Sequence, residues 1–431
     1  MNYTFENAAQ AIDWINGLRY AGEKNGLNNM RALLSRVGNP ERQLKMVHVA
    51  GTNGMGSTCA MLEKMLRECG LKTGLYTSPY LMRFQERMRV NGVPIDDESL
   101  VRIASRVREA TEQLLTEGVK PTTFELGTAI TLLYFAEQRV DIAVIEVGLG
   151  GRLDPTNVIL PEVCLIAPIG MDHTKVLGDS LPQIAGEKAG IIKEGVPVAV
   201  SPQQNEEVMR VFRDAAEKMH APIMEVRSSE IEVLLADARG AEFSFRGRKA
   251  RIRLAGRHQV ENACLALSGA ELLKTRGFDL PWEKCLAGLE KAVWPGRLEW
   301  IDDHTLIDGA HNPHGARALS AYVREYLAGR KIVPVIGMMG DKDVESCVAL
   351  YAELAEKIVA TQVDYPRAMP AGDLKNLLRT HGVDAEAEAT IPAALNRARE
   401  IAGEDGVVLI CGSLYVAGEA RMLLHGDDGR L

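Results

Sequence analysis

The sequence predicts an α/β protein of two domains, a large N-terminal one on a mostly parallel sheet with a small antiparallel extension, and a smaller C-terminal α/β one. Three observations carry this. Apolar runs of strand length alternate with helix-length patterns along almost the whole chain. Most of the runs are continuously apolar rather than alternating, as strands buried on both faces of a parallel sheet are. One stretch departs from the alternation, and a Pro-Gly break follows it.

The strand runs are Met46–Ala50, Ile142–Val147, Val163–Ile169, Val196–Val200, Thr305–Asp308, Lys331–Met338, Lys357–Thr361 and Gly406–Cys411. Helical patterns fall between them at Ser57–Cys69, Asp97–Glu117, Leu126–Gln138, Gln204–His220 and Gly315–Leu327. Such alternation implies right-handed crossovers. Residues 223–256 instead carry short alternating runs around Arg246-Gly-Arg, which predicts an antiparallel meander appended to the first domain. After a helical stretch around Asn262–Leu273, Val293-Trp-Pro-Gly-Arg breaks the chain and a new strand–helix series begins. The expected domains are therefore residues 1–295 and 296–431.

Composition narrows the function. At 431 residues, 46% hydrophobic and 25% charged, the chain has the make-up of a globular protein with a large core. Aromatics at 5% argue against a base-stacking nucleic-acid platform. A net charge of -8, from 50 basic and 58 acidic residues, argues against a phosphate-backbone binder but leaves room for a local anion pocket. No apolar run reaches the ~18 residues of a membrane span. The N-terminus lacks a basic segment followed by an apolar one, so no secretory signal is expected. The seven cysteines are dispersed without a C-x-x-C pair, which fits reduced thiols and a cytoplasmic location. Glycines number 40, about 9% of the chain against an average of roughly 7%, so tight loops where backbone approaches something closely are expected.

Three strand-end loops hold the candidate chemistry. The first is Gly51-Thr52-Asn53-Gly54-Met55-Gly56-Ser57, between a strand and a helix. Loop N–H groups and a helix N-terminus form an anion site suited to polyphosphate. The strict phosphate-loop pattern G-x-x-x-x-G-K-[ST] is not met, because Ser57 fills the lysine slot. A tight turn with no ligand fits the same glycines. The G-x-G-x-x-G spacing of a dehydrogenase is also missing. The second loop follows Glu146 and runs Val147-Gly148-Leu149-Gly150-Gly151-Arg152-Leu153-Asp154. A strand-end carboxylate there suits a magnesium ligand beside a triphosphate, or a cap for the loop's own amides. The third carries Asp172-His173, followed by Glu187-Lys188. His173 reads as a metal ligand or a hydrogen-bonded structural histidine, and Glu187-Lys188 equally as a solvated helix face.

Together these segments resemble the folylpolyglutamate synthase / dihydrofolate synthase family of Mur-ligase-like ATP-dependent amide ligases. The matching stretches are HVAGTNGMGST, GLYTSPYL with RFQERMRVNG, TTFEL, EVGLGGRLDPTNV, MDHTKVLGDSL, IAGEKAGIIK, GRHQVENA, WPGRLEW, DGAHNP and CGSLYVAGE, in the family's order from about residue 20 onward. The resemblance implies a P-loop-type first domain and a Rossmann-like second one. It implies ATP and Mg2+ as cofactors, L-glutamate and a folate or dihydropteroate as substrates, and a monomer. By the same resemblance Gly51–Ser57, with Thr52, Asn53, Gly54, Met55 and Gly56, would cradle the ATP phosphates. Ser78 and Glu146 would hold one magnesium, and Glu146 and His173 a second. Lys188 matches a lysine that is carbamylated in family members. Asn262, Arg297 and Asp308 would contact the nucleotide, the last two from the second domain. His311 and Ser413 would place glutamate, and Phe124 and Asp154 the pterin-bearing substrate. The chemistry implied is an acyl phosphate captured by the glutamate amine, with closure of the two domains keeping water out.

One position departs. Family members read GTNGKGS, and this chain has Met55 in place of that lysine. Methionine matches the reach of lysine but has no charge and no donor. Three origins fit: a deliberate replacement, a natural change offset by another cation, or a paralogue that no longer ligates. The competing functions are accordingly a non-catalytic nucleotide or folate binder, and an amide ligase for another carboxylate and amino acid.

Overall fold

The computed structural model describes residues 3–17, 26–202 and 205–425. They fall into two compact units, residues up to 231 with 261–292, and residues 232–260 with 293–425.

The first unit holds an eight-stranded sheet: β1 (Met46–Ala50), β2 (Thr73–Tyr76), β3 (Met88–Val90), β4 (Val93–Pro94), β5 (Ile142–Glu146), β6 (Val163–Ile166), β7 (Val198–Val200) and β8 (Ile223–Glu225). Its order is β4-β3-β2-β5-β1-β6-β7-β8, parallel from β2 to β8 and antiparallel in the β2–β3 and β3–β4 pairs. β1, β5 and β6 are buried at every residue, which is why they read as apolar runs broken only by His48 and the terminal Glu146. Successive side chains face opposite sides of the sheet. Ala143 and Ile145 of β5 join one core with the helices Ala8–Gly17, Asn28–Arg36, Asp97–Thr116 and Thr123–Gln138. Ala50, Cys164 and Ile166 join another with the helices Leu181–Ala189 and Glu206–Lys218.

Three helices begin earlier than their apolar pattern indicates, the one expected from Gly315 starting at Pro313 behind its Asn312 cap. Gly54 adopts φ +81°, a left-handed turn that starts the helix at Met55 rather than Ser57. Thr122 and Glu125 form a reciprocal capping box, so the next buried helix starts at Thr123 rather than Leu126. Gln204 of the expected Gln204–His220 helix lies outside the described residues.

The second unit contains the meander β9 (Ile231–Asp237), β10 (Gly240–Phe245) and β11 (Arg248–Ile252), whose first residue lies at the unit boundary. It also holds a six-stranded sheet of β12 (Glu299–Trp300), β13 (Thr305–Ile307), β14 (Ile332–Ile336), β15 (Lys357–Ala360), β16 (Asp384–Ala387) and β17 (Val407–Cys411). The order is β12-β13-β17-β14-β15-β16, parallel except for β12. The meander forms as expected but groups with the C-terminal unit, not the N-terminal domain to which the sequence assigned it. The turn after β9 explains this, because Ala238 O accepts from Trp300 Nε1 at 2.9 Å and from the Tyr322 hydroxyl at 2.7 Å. Among the described residues no helix is long and apolar enough to cross a membrane.

Candidate active site

Parallel neighbours send their C-terminal loops to the same sheet edge, where open α/β sheets bind ligands. β1 lies between β5 and β6, with Val49 opposite Glu146 and Ala50 opposite Ile166. The Gly51 loop, the Gly148 loop and the Asp172-His173 turn therefore start side by side.

The first loop folds against the β6 loop. The Thr52 N–H donates to Pro168 O at 2.9 Å, and its hydroxyl to Gly170 O at 3.1 Å. A Cβ on Gly51 would stand 2.6 Å from the Ala167 Cβ, so only glycine lets the two backbones approach. A Cβ on Gly54 would stand 2.2 Å from Asn262 Oδ1, which places Asn262 directly against the loop. Asn53, Met55 and Gly56 are half-buried around the helix start, and Ser57 is buried in its first turn.

Glu146, at the end of β5, is buried and accepts the Ser78 N–H on Oε2 at 2.7 Å. Lys188 is buried, and its Nζ donates to Gly51 O, joining the helix Leu181–Ala189 to the phosphate loop. Burial lowers its pKa to about 8, against the pull of Asp172 and Asp154. The neutral amine thus becomes accessible near neutral pH, and that is the form carbamylation requires. Below about pH 8 the amine is charged in both folded and unfolded chains, and between 8 and 10.5 only in the unfolded one. Unfolding then takes up a proton, so stability rises with pH across this window, by about 3 kcal/mol in full. Lys188→Met is expected to abolish that rise in denaturant titrations over the window, whereas equal slopes in parent and variant would refute it.

His173 takes φ +50° at the start of the short helix Thr174–Leu177, in the left-handed region where histidine is enriched among non-glycine residues. Its Nε2 lies 3.8 Å from Asp172 Oδ1, and the side chain is half exposed. Among the described residues no group of three or more His, Cys, Asp or Glu side chains is gathered to hold a metal. Magnesium rarely needs one, since one or two carboxylates plus substrate phosphates and water suffice. The oxygen donors of Glu146 and Ser78 fit that pattern.

Phe124, the second residue of its helix, rests against the second loop. A Cβ on Gly148 would lie 2.2 Å from its ring. Asp154 is buried and turned into the loop, where Oδ2 accepts the Leu149 N–H at 2.8 Å and Oδ1 the Thr156 N–H at 3.0 Å. Burial raises its pKa, and these hydrogen bonds oppose the rise. A Cβ on Gly151 would meet Glu187 O at 2.7 Å and Lys188 Cα at 3.0 Å. Gly151→Ala therefore has to displace the Lys188 helix, an overpacking that costs about 1–3 kcal/mol. A calorimetric melting temperature unchanged by this substitution would contradict that contact.

The remaining candidates lie in the second unit. Asp308 is buried, accepting Leu298 N–H on Oδ2 and Ala310 N–H on Oδ1, both at 2.9 Å. Burial raises its pKa against the opposing charge of Arg297. A Cβ on Gly309 would come 2.7 Å from the Arg297 guanidinium, so these neighbours in the motifs are neighbours in space. His311 Nδ1 lies 2.9 Å from Gly309 O, and the buried Ser413 hydroxyl accepts the Tyr415 N–H at 3.1 Å. Sequence reasoning passed over His48, a wholly buried histidine within β1 whose Nε2 lies 2.9 Å from Thr156 Oγ1. A polar residue inside an apolar strand run was the available signal.

Phosphate-loop geometry beside a strand-end carboxylate, on a parallel sheet followed by a second α/β unit, defines a nucleotide-dependent ligase of the Mur type. The Mur ligase middle domain matches residues 49–270, and the Mur ligase glutamate ligase domain residues 296–414. The chain is 38% identical over 428 residues to the dihydrofolate synthase/folylpolyglutamate synthase of Bacillus subtilis, covering 96% of this chain and 98% of that protein. It is 34% identical to the folylpolyglutamate synthase of Lacticaseibacillus casei, covering 99% of each. Among solved structures, Mycobacterium tuberculosis folylpolyglutamate synthase complexed with ADP and AMPPCP superposes with a TM-score of 0.88 at 30% identity, over 97% of this chain and 99% of that one. E. coli FolC in complex with DHPP and ADP gives 0.85 at 28% identity, over 97% of each. The chain belongs to the folylpolyglutamate synthase / dihydrofolate synthase family.

Proposed function

We propose that this chain joins L-glutamate to the carboxylate of a folate or dihydropteroate at the expense of ATP, with turnover lowered by Met55. The observation that carries the reading is the placement of the Gly51–Ser57 loop, Glu146 with Ser78, and Lys188 at one sheet edge. In this reading the acceptor carboxylate attacks the γ-phosphorus of ATP and ADP leaves. The glutamate amine then attacks the acyl phosphate carbonyl, phosphate departs with one former carboxylate oxygen, and the amine proton is lost to solvent or a base. The loop amides and the helix N-terminus bind and orient the phosphates, so most of the catalysis is positioning and electrostatics. Magnesium, held by Glu146 and Ser78 with His173 at a second ion, would supply charge neutralisation on the phosphates. Lys188 braces the loop through Gly51 O in its amine form and, carbamylated, would add a carboxylate at the second ion. Arg297 and Asp308 are assigned to the nucleotide, His311 and Ser413 to glutamate, and Phe124 and Asp154 to the acceptor's side of the site. The reading includes a monomeric cytoplasmic enzyme with no nucleic-acid or membrane partner, in keeping with seven free cysteines.

Met55 alone favours a second reading, a nucleotide or folate binder without turnover. Phosphate release is measured with ATP, a panel of pteroate, dihydropteroate, folate and unrelated carboxylates, and glutamate or another amino acid in turn, alongside calorimetry of nucleotide binding. Release that needs a pterin acceptor and glutamate supports the ligase, and nucleotide binding without release at high enzyme supports the binder. Release with a different acceptor and amino acid supports another amide ligase.

A further inference from the structure

His48 interrupts a strand of otherwise apolar residues three positions before Gly51. The Thr156 hydroxyl donates to Asp154 Oδ1, and a hydroxyl has one proton, so it accepts from His48. Nε2 is therefore the protonated ring nitrogen. Asp154 in turn accepts the Leu149 N–H on Oδ2. A continuous line of hydrogen bonds thus runs from the strand under the phosphate loop to the turn after Glu146.

Core packing does not account for this histidine. Among the described residues its buried Nδ1 has no partner, a cost that valine or isoleucine at the same place would avoid. Burial, with a smaller contribution from Lys193, holds its pKa at about 3, so it stays neutral in a single tautomer. The far end of the loop is held separately: Asn157 Nδ2 donates to Arg152 O and Gly190 O, each at 3.0 Å, and Lys193 donates to Asn157 Oδ1 at 2.6 Å. The hydrogen-bond line therefore governs the Leu149 end. There Leu149 and Leu153 are 39% and 43% exposed and Phe124 packs on Gly148, an apolar surface suited to a flat aromatic acceptor.

We propose that His48 and Thr156 are positioning residues for the acceptor: through Asp154 they hold the Leu149 end of this loop in register with the phosphate loop. Asp154 then acts on the acceptor through the backbone it pins. The proposal rests on the ligase reading above.

The test is calorimetric binding of pteroate and folate, and separately of ATP, to the parent, to four single variants and to one double variant. Thr156→Val removes its donor at nearly constant volume, and His48→Phe removes its donor with a somewhat larger ring. They are expected to weaken acceptor binding about 10- to 100-fold, because binding then has to order a turn that is no longer pinned, while ATP binding stays within about 3-fold. Thr156→Ser and His48→Gln, which keep a donor, are expected to stay within about 3-fold of the parent for both ligands. The double variant His48→Phe/Thr156→Val is expected to bind acceptor no more weakly than the worse single one, because one line is broken once. Thr156→Ala carries the same expectation as valine should valine prevent folding. Unchanged acceptor binding in the donor-less variants, or equal losses for acceptor and ATP, overturns the positioning role and leaves the ligase reading standing. A parent chain that binds none of the acceptors overturns the ligase reading and this proposal with it.

Discussion

Met55→Lys is expected to raise ATP-dependent phosphate release about 10- to 150-fold when acceptor and glutamate are saturating. Met55 is the first residue of the helix that follows the phosphate loop, half-buried, with Gly54 turning the chain into it. A lysine there adds one charge-assisted hydrogen bond to a phosphate oxygen, about 1.5–3 kcal/mol, and about 1.4 kcal/mol is tenfold in rate. If the charge acts mainly on the transition state, kcat rises and the KM for ATP changes little. Steady-state kinetics on the pair decides the matter, and a lysine variant no faster than the parent refutes the account of Met55.

Glu146→Gln is expected to lower phosphate release about 100- to 1000-fold in the Met55→Lys background. The carboxylate is buried one strand from the phosphate loop and takes the Ser78 N–H at 2.7 Å. Glutamine either points its amide NH2 at that N–H, leaving two donors face to face, or turns its oxygen there and offers the NH2 where the carboxylate's second oxygen stood. Each arrangement loses the negative charge that a magnesium ligand needs, and such electrostatic groups are worth about 3–4 kcal/mol. The magnesium concentration for half-maximal rate is expected to rise as well. A variant that keeps the parent's magnesium dependence would assign Glu146 to capping the loop, the other role its position permits.

The parts of the fold that the sequence disclosed are those where burial dictates composition. β6, β14 and β17 are apolar throughout, and β1 and β5 apolar but for His48 and the terminal Glu146, because both faces are covered, and the glycine loops stand out because close approaches at Gly51, Gly148 and Gly151 exclude side chains. The short strands escaped for the opposite reason. β16 reads Asp-Ala-Glu-Ala at a sheet edge, and β4 is two residues with a proline, so neither carries an apolar run. The meander's own pairing was visible in its alternation, but its partner unit depends on Ala238 meeting Trp300 and Tyr322, a tertiary fact that no local pattern encodes. Asp154 shows the same limit: its spacing marks it as part of the site, while its orientation into the loop emerges only from the Leu149 and Thr156 amides.

The most direct test of the ligase account follows oxygen. The Met55→Lys chain is incubated with ATP, glutamate and an acceptor whose reacting carboxylate carries 18O, and the released phosphate is analysed by mass spectrometry. Ligation through an acyl phosphate predicts one labelled oxygen transferred to phosphate for each amide formed. Phosphate released without label would contradict the account.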